Sequence, residues 1–174
     1  FVYSEINGYF LTMMSYLYCK TKNPIFLNNG IKSAKWLIKN ALQKNGGYKC
    51  LFLIDKSSKH AFKKNLIYAF DNGIIINGLV NLYKITKKKY LLKAAENCAN
   101  WIINGCLKKN GAIRPVYEID EKKYFESDKD WSTTSGSYHS KIAIGLANLH
   151  SATNKKIYLK NAIKIADYCL KYQD

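Results

Sequence analysis

The chain has 174 residues, of which 48% are hydrophobic and 23% are charged, and this composition excludes a disordered or collagen-like protein. No stretch approaches the roughly 18 uncharged apolar residues that a membrane-spanning helix needs, so we expect no span. The formal net charge is +16, but Arg114 is the only arginine among the 28 basic residues. Because arginine is the preferred residue for phosphate and base contacts, the charge favours a general attraction to polyanions such as acidic polysaccharides over nucleic-acid binding.

Three segments of the chain repeat in order. Leu17, Leu82 and Leu149 occupy corresponding positions, 65 and 67 residues apart. Each leucine is followed four residues later by a threonine, then by a short polar turn and an aromatic residue. Such a period is the mark of a repeated structural unit. Each unit has the spacing of two helices joined by a tight turn, and the threonines are candidate start signals for the second helix.

The two helices of each unit differ in charge. The first helices, in residues 6–19, 72–83 and 142–154, contain no Asp, Glu, Lys or Arg, and a helix without charges is usually buried all round. The second helices alternate apolar residues with lysines, as half-exposed helices do. The sequence therefore predicts an all-α domain or fragment over residues 1–174, with an inner and an outer helix layer. Its antiparallel hairpins fall at about 4–43, 70–107 and 137–173, and Gly78 and Gly145 allow the inner helices to approach closely.

Residues 78–95 and the stretch Gln43-Lys-Asn-Gly-Gly-Tyr48 resemble the hairpin repeat of the (α/α) toroid superfamily. That superfamily includes the six-hairpin glycosidases, the N-acylglucosamine 2-epimerase-like enzymes and the glucuronyl epimerase-like domains. The resemblance implies a six-hairpin ring, of which three hairpins are half. We therefore expect a fragment of a longer chain, or a half-toroid whose apolar edges pair with another copy.

The long connections, at about residues 44–68 and 108–137, lie at the end where the inner helices begin. Loops of this length are usually functional, and helix N-termini favour anions. Carboxylates and histidine can move protons, aromatic rings stack on sugars, and lysine pairs with a uronate. The candidate catalytic residues are Glu5, Asp71, Tyr138 and His139. The candidate substrate-binding residues are Tyr9, Asn72, Trp131, Asp130 and Lys141.

These residues have structural alternatives. Acidic residues such as Glu5 and Asp71 commonly cap or complement a helix N-terminus, although Asp71 also resembles a key aspartate position at a hairpin start in six-hairpin glycosidases. His139 is equally compatible with a structural histidine and a proton carrier. Asp130 is also compatible with a plain loop acid.

The leading hypothesis is a domain that acts on a saccharide, possibly an acidic one. In a hydrolase, Glu5 and Asp71 would form the pair of carboxylates. In an epimerase or lyase, Tyr138 and His139 would take a proton next to a carboxylate. The alternatives are a non-catalytic toroid that binds glycan or protein, and isoprenoid chemistry, which is disfavoured because no DDxxD-like or zinc-binding set is present.

No cofactor or metal site is expected. The five cysteines have neither paired spacing nor a neighbouring histidine set, and the chain lacks a nucleophile elbow, a phosphate-binding loop and a dinucleotide fingerprint. The first residue is Phe1, and no signal-peptide pattern follows it. A removed segment or an excised piece would account for this start. The location is essentially unmarked, with the cytoplasm favoured.

Overall fold

The computed structural model describes residues 2–54 and 60–172. In this part of the chain, six α-helices form three antiparallel hairpins, and the hairpin partners are α1 with α2, α3 with α4 and α5 with α6. Helices α1, α3 and α5 pack side by side as an inner layer, and each outer helix covers its own partner. The predicted all-α hairpin fold is confirmed. The helices are α1 (Ser4–Thr21), α2 (Pro24–Asn40), α3 (Ala69–Thr86), α4 (Lys89–Trp101), α5 (Ser140–Thr153) and α6 (Lys156–Leu170).

The last position of the predicted third hairpin, residue 173, lies outside the described residues. The treatment of residues 1–174 as one domain stays a prediction. None of the described helices is long and apolar enough to cross a membrane.

The three hairpin turns share one geometry. Each inner helix ends on the repeated threonine, whose hydroxyl donates to the carbonyl four residues earlier and accepts the N–H two residues later. The next residue adopts the left-handed conformation with φ between 55° and 57°. The threonines therefore end the first helix, which corrects their interpretation as start signals. The left-handed residues are Lys22, Lys87 and Asn154.

Glycines bring the inner helices into backbone contact. A Cβ at Gly78 would lie 2.4 Å from the carbonyl oxygen of Gly8, and one at Gly145 would lie 2.5 Å from the carbonyl oxygen of Gly73. Carbon and oxygen cannot approach so closely without overlap. The contact between α1 and α3 and the contact between α3 and α5 therefore each require a glycine. This is the close approach that the sequence predicts for Gly78 and Gly145.

The inner helices differ in burial. The middle helix, α3, has an inner neighbour on each side, and its apolar residues from Ile74 to Leu82 are almost fully buried. Helices α1 and α5 each have one inner neighbour in the described chain. The prediction that all uncharged helices are buried on every side is therefore wrong for α1 and α5. Side chains of α1 that are 41–61% exposed are Ile6, Tyr9, Met13 and Tyr16.

The long connections contain short strands that the sequence analysis did not predict. Strand β1 (Val2–Tyr3) pairs with β2 (Leu51–Phe52), and β3 (Leu66–Tyr68) starts a sheet in which β4 (Val116–Glu118) lies between β3 and β5 (Lys123–Phe125). All pairings are antiparallel. Strand β1 runs directly into α1, and β3 runs directly into α3. The strands therefore fix the starts of two inner helices.

A loop motif that follows the first outer helix recurs after the second. In the first copy, Gly46 has φ of 98° and the side chain of Asn45 accepts the N–H of Gly47. In the second copy, Gly111 has φ of 96° and Asn110 accepts the N–H of Ala112. The copies are 65 residues apart, the same spacing as the first two hairpins. The Gln43–Tyr48 stretch is therefore part of the repeat.

Candidate active site

A cavity of about 570 Å³ lies at the end of the inner layer where α1 and α3 begin. We call it the mouth cavity. The first turns of α1 and α3, the short 3-10 helix Ala61–Asn65 and the loop 125–133 contribute its walls. It combines three acidic residues, two lysines and several aromatic rings. The charged residues that line it are Glu5, Asp71, Asp130, Lys63 and Lys129, and the aromatic residues are Tyr3, Phe62, Tyr68, Phe125 and Trp131.

The strands bring Glu5 and Asp71 together. Each acid lies in the first turn of an inner helix, and the residue that caps each helix is a tyrosine at a strand end, Tyr3 for α1 and Tyr68 for α3. The Ser4 hydroxyl donates to the Lys49 carbonyl at 2.6 Å, which anchors the start of α1. Neither Glu5 nor Asp71 is therefore the N-cap residue. Both carboxyl groups face the mouth cavity.

Burial sets the protonation of the two acids. Asp71 is 6% exposed, and this burial, together with the nearby Glu5 charge, raises the pKa of Asp71 from 3.8 to about 8. Burial also raises the pKa of Glu5. The Lys63 ammonium opposes both shifts. Because the Glu5 charge helps to raise the pKa of Asp71, Glu5 ionises before Asp71, and Asp71 keeps its proton at neutral pH.

A thiol contributes to the same environment. The Cys50 thiol lies close enough to the Asp71 carboxyl group for each to influence the pKa of the other. Burial raises the pKa of the Cys50 thiol, and the Asp71 charge adds to this effect. Cys50 is therefore a neutral neighbour of Asp71 at neutral pH.

An aromatic cluster holds Trp131 at the cavity. The ring centroids of Trp131 and Tyr138 are 5.2 Å apart, and Phe70 contacts both rings edge-on at 6.2 Å and 5.3 Å. The Tyr138 hydroxyl donates to the Thr134 carbonyl at 2.6 Å. Trp131 itself is 67% exposed. Its indole is thus available to a ligand, whereas Tyr138 supports Trp131 from outside the cavity lining.

His139 is placed away from the mouth cavity. It is 1% exposed, and its Nδ1 accepts the backbone N–H of Gly136 at 3.3 Å. Its Nε2 is buried without a hydrogen-bond partner in the described part of the chain. Burial lowers the pKa of His139 to about 4, so the imidazole is neutral at pH 7. The structure does not bring His139 together with Glu5 and Asp71.

Asn72 is a structural clamp next to Asp71. Its side chain is fully buried and bonds to both the N–H and the carbonyl of Tyr48, at 2.7 Å and 3.0 Å. It also donates to the Tyr68 carbonyl at 2.8 Å and accepts from the Cys98 thiol at 3.1 Å. These bonds tie the loop that follows α2 to the start of α3. Asn72 is therefore placed to position Asp71 rather than to face a ligand in the cavity.

The remaining candidates divide between the cavity and the surface. Asp130 lines the mouth cavity. Tyr9 lies one turn after Glu5 and is 41% exposed, and burial and the charges of Glu5 and Asp71 raise the pKa of its hydroxyl. Lys141 is exposed on α5 and does not line the cavity.

Among the cavity residues that were not sequence candidates, Lys63 and Cys50 influence the pKa of Asp71. Lys63 was one lysine among many, and Cys50 had the character of a core cysteine. The sequence offers no local signal for either residue, because both come from the connection between two hairpins. Within residues 2–54 and 60–172, no group of three His, Cys, Asp or Glu side chains could hold a metal ion.

Comparisons with known proteins relate this chain to a family. A family model described as glycosyl hydrolase family 76 matches residues 59–173. A search of curated proteins gave no significant match. Among solved structures, a family 76 glycoside hydrolase (mannosidase) from Bacteroides thetaiotaomicron is similar with a TM-score of 0.76 and 17% identity, over 98% of this chain and 44% of that chain. The cellobiose 2-epimerase from Spirochaeta thermophila gives a TM-score of 0.79 and 11% identity, over 94% and 41%.

A third similar structure holds a saccharide. It is an inactive variant of an α-1,6-mannanase from Salegentibacter, with two consecutive aspartates changed to alanine, in complex with α-1,6-mannotetraose. The TM-score is 0.75 and the identity 17%, over 96% of this chain and 46% of that chain. These likenesses show the (α/α) toroid fold. The chain spans less than half the length of the solved structures that it matches.

Proposed function

Because the chain belongs to glycosyl hydrolase family 76, we propose that it acts on a saccharide by hydrolysing a glycosidic bond at the mouth cavity. The observation that carries this proposal is the pairing of two carboxyl groups with separated protonation. Asp71 is buried and its pKa is raised to about 8, while Glu5 faces the same cavity and ionises first. Two carboxyl groups whose environments push their pKa values apart are the arrangement that glycoside hydrolysis uses.

The chemistry assigns one role to each acid. Protonated Asp71 donates its proton to the glycosidic oxygen, so that the leaving sugar departs as a neutral alcohol. Ionised Glu5 either takes a proton from the attacking water or attacks the anomeric carbon itself, and the separation of the two groups in the substrate complex decides between these routes. Lys63 stabilises the Glu5 charge.

The rest of the cavity supplies binding groups. The exposed Trp131 indole offers a face on which a pyranose ring stacks. Asp130 can accept hydrogen bonds from sugar hydroxyls. Lys63 and Lys129 are cations with which a uronate carboxylate can pair, which supports the proposal that an acidic saccharide is also accepted.

The two acids of this chain come from two inner helices and not from consecutive residues. The inactive mannanase variant lacks two consecutive aspartates. This sequence contains no two consecutive aspartates, and Asp71 is followed by Asn72, whose side chain is fully bonded inside the protein. Glu5 lies on the preceding inner helix, and its charge raises the pKa of Asp71. We therefore propose Glu5 and Asp71 as the catalytic pair of this chain.

Two other functions are less well supported. One structural neighbour is a cellobiose 2-epimerase. An epimerase or lyase reaction would need a base, but the candidate base His139 does not line the mouth cavity. A non-catalytic glycan- or protein-binding toroid would use the same cavity without need of the Asp71 proton.

Because the exposed face of α1 has no neighbour in the described chain, we also propose that further hairpins or a second copy cover it.

The test is turnover of α-1,6-mannotetraose and of a uronic-acid oligosaccharide, followed by chromatography of the products. We expect hydrolysis, with a loss of about 100-fold or more in both Glu5→Gln and Asp71→Asn, because each removes one acid–base role. The control is Asp167→Asn, an exposed aspartate on α6, which should keep full activity. Binding without turnover, with equal affinity in the two variants, would overturn the hydrolase in favour of the binding protein.

A further inference from the structure

A second pocket, of about 470 Å³, lies beside the outer helices of the first two hairpins. We call it the amide pocket. None of its residues lines the mouth cavity. We propose that the amide pocket is a binding site for a neutral saccharide unit, separate from the site of hydrolysis. Its defining residues are Gln43, Asn45, Asn97, Asn100, Trp101 and Asn104.

One wall comes from the repeated loop. A Cβ at Gly46 would lie 2.6 Å from the carbonyl oxygen of Asn97, so the loop touches the backbone of α4. Gly47 lies against the indole of Trp101, where a Cβ would be 3.0 Å from the ring. This contact places the amides of the loop beside the amides of α4. The wall is therefore held by backbone packing and not by mobile side chains.

The opposite wall comes from a π-helical turn. Helix α4 continues as one π-helical turn over Ile102–Cys106, a feature that is frequent at functional sites. Arg114 donates to the Gly105 carbonyl at 2.8 Å, and its guanidinium lies 5.8 Å from the centre of the Tyr124 ring. Tyr124 in turn stacks on Trp101 with ring centroids 6.4 Å apart. The only arginine of the chain thus holds an aromatic wall of the pocket.

Three of the amides of the pocket are available to a ligand. In the part of the chain that the structure describes, Gln43 donates to the Ala41 carbonyl and Asn45 accepts the Gly47 N–H. The side chains of Asn97, Asn100 and Asn104 make no hydrogen bond within the same part of the chain. Asn100 and Asn104 are exposed and Asn97 is half-buried, so a ligand can reach these amides. Each amide can both donate and accept hydrogen bonds.

The chemistry favours a neutral sugar. Each amide presents one acceptor and two donor hydrogens, which matches hydroxyl groups that both donate and accept. Lys44 is the only charged side chain among the residues that line the pocket, whereas carboxylates and phosphates are usually met by several cations. The volume lies within the range of small-molecule sites, about 300–1,000 Å³. Because the pocket contains no carboxyl group, it binds without cleaving.

The position of the pocket gives it a use. It belongs to two consecutive hairpins and not to the exposed faces of α1 or α6, so further hairpins beside those faces would leave it open. A second site for the same polysaccharide raises its local concentration near the mouth cavity without any new catalytic group.

The three tryptophans permit a test that separates the two sites. Trp101 lines the amide pocket, Trp131 lines the mouth cavity, and Trp36 lines neither. Their indole N–H resonances, assigned by single Trp→Phe substitutions, are followed by NMR as α-1,6-mannotetraose is added. We expect a saturable shift of the Trp101 resonance and no shift of the Trp36 resonance.

The variant Asn100→Ala/Asn104→Ala removes two exposed amides. We expect the mannotetraose concentration that gives half of the Trp101 shift to rise at least tenfold, while the response of Trp131 stays unchanged. The control is Asn28→Ala/Asn29→Ala, which removes two exposed amides of α2 outside the pocket and should leave both midpoints unchanged. A Trp101 resonance that stays still while Trp131 saturates would overturn the proposal. So would an equal Trp101 response to a uronic-acid oligosaccharide, or an unchanged midpoint in the double variant.

Loss of hydrolysis in Asp71→Asn with an intact Trp101 response would leave the amide pocket standing. Absence of hydrolysis by the unmodified chain would likewise not affect it. The two proposals can therefore fail separately.

Discussion

Replacing Asp71 by asparagine should change how the stability of the protein depends on pH. The pKa of Asp71 is about 8 in the folded protein, against an ordinary 3.8. Between pH 3.8 and about pH 8, the folded state keeps a proton that the unfolded state loses. The free energy of unfolding therefore falls as the pH rises through this range. At 1.36 kcal/mol per pKa unit, the Asp71 carboxyl group costs the folded state about 4 kcal/mol at pH 7 and about 0.6 kcal/mol at pH 4.

The Asp71→Asn variant has no proton to lose at this position, and its side chain is nearly the same size. We expect its stability relative to the unmodified protein to increase by about 4 kcal/mol between pH 4 and pH 7. Urea unfolding at a series of pH values measures this difference, and Asp167→Asn, at an exposed site on α6, should show no such increase. Parallel stability profiles for Asp71→Asn and the unmodified protein would refute the reasoning.

Three further predictions concern the scaffold. Gly78→Ala should destabilise by about 1–3 kcal/mol in urea unfolding, because the added methyl group would meet the neighbouring helix backbone at 2.4 Å; Gly30→Ala, whose nearest contact is a side chain at 3.4 Å, should cost less. Asn72→Ala should lower the free energy of unfolding by about 3 kcal/mol or more, because its buried hydrogen bonds are lost, whereas Asn28→Ala should change it very little. Equal melting temperatures of these two variants would contradict this prediction. The imidazole of His139, with its pKa lowered to about 4, should show no NMR titration between pH 5 and pH 8.

The hairpin fold could be predicted because its signals are local and repeated. The recurrence of Leu17, Leu82 and Leu149 and the absence of charges from the first helices are visible in the sequence. The strands have no such signal. Val2 pairs with Phe52, and a strand of two or three residues is too short to show an alternating pattern.

The candidate site could be predicted only in part. Glu5 and Asp71 were identified because they occupy starts of inner helices, where the fold brings side chains together. Successive side chains on a helix point about 100° apart, so Asn72 faces the protein interior although Asp71 faces the cavity. Lys63 depends on a connection whose path is set by tertiary packing, and the sequence alone does not reveal it.

The proposed hydrolysis depends on Glu5 and Asp71 forming one electrostatic unit at the mouth cavity. The most direct measurement is the pKa of the Asp71 carboxyl group, followed by carbon NMR in the unmodified protein and in Glu5→Gln. We predict a pKa near 8 in the unmodified protein and a lower value in Glu5→Gln, because the Glu5 charge raises it. An Asp71 pKa near 4, or one that Glu5→Gln leaves unchanged, would contradict the account.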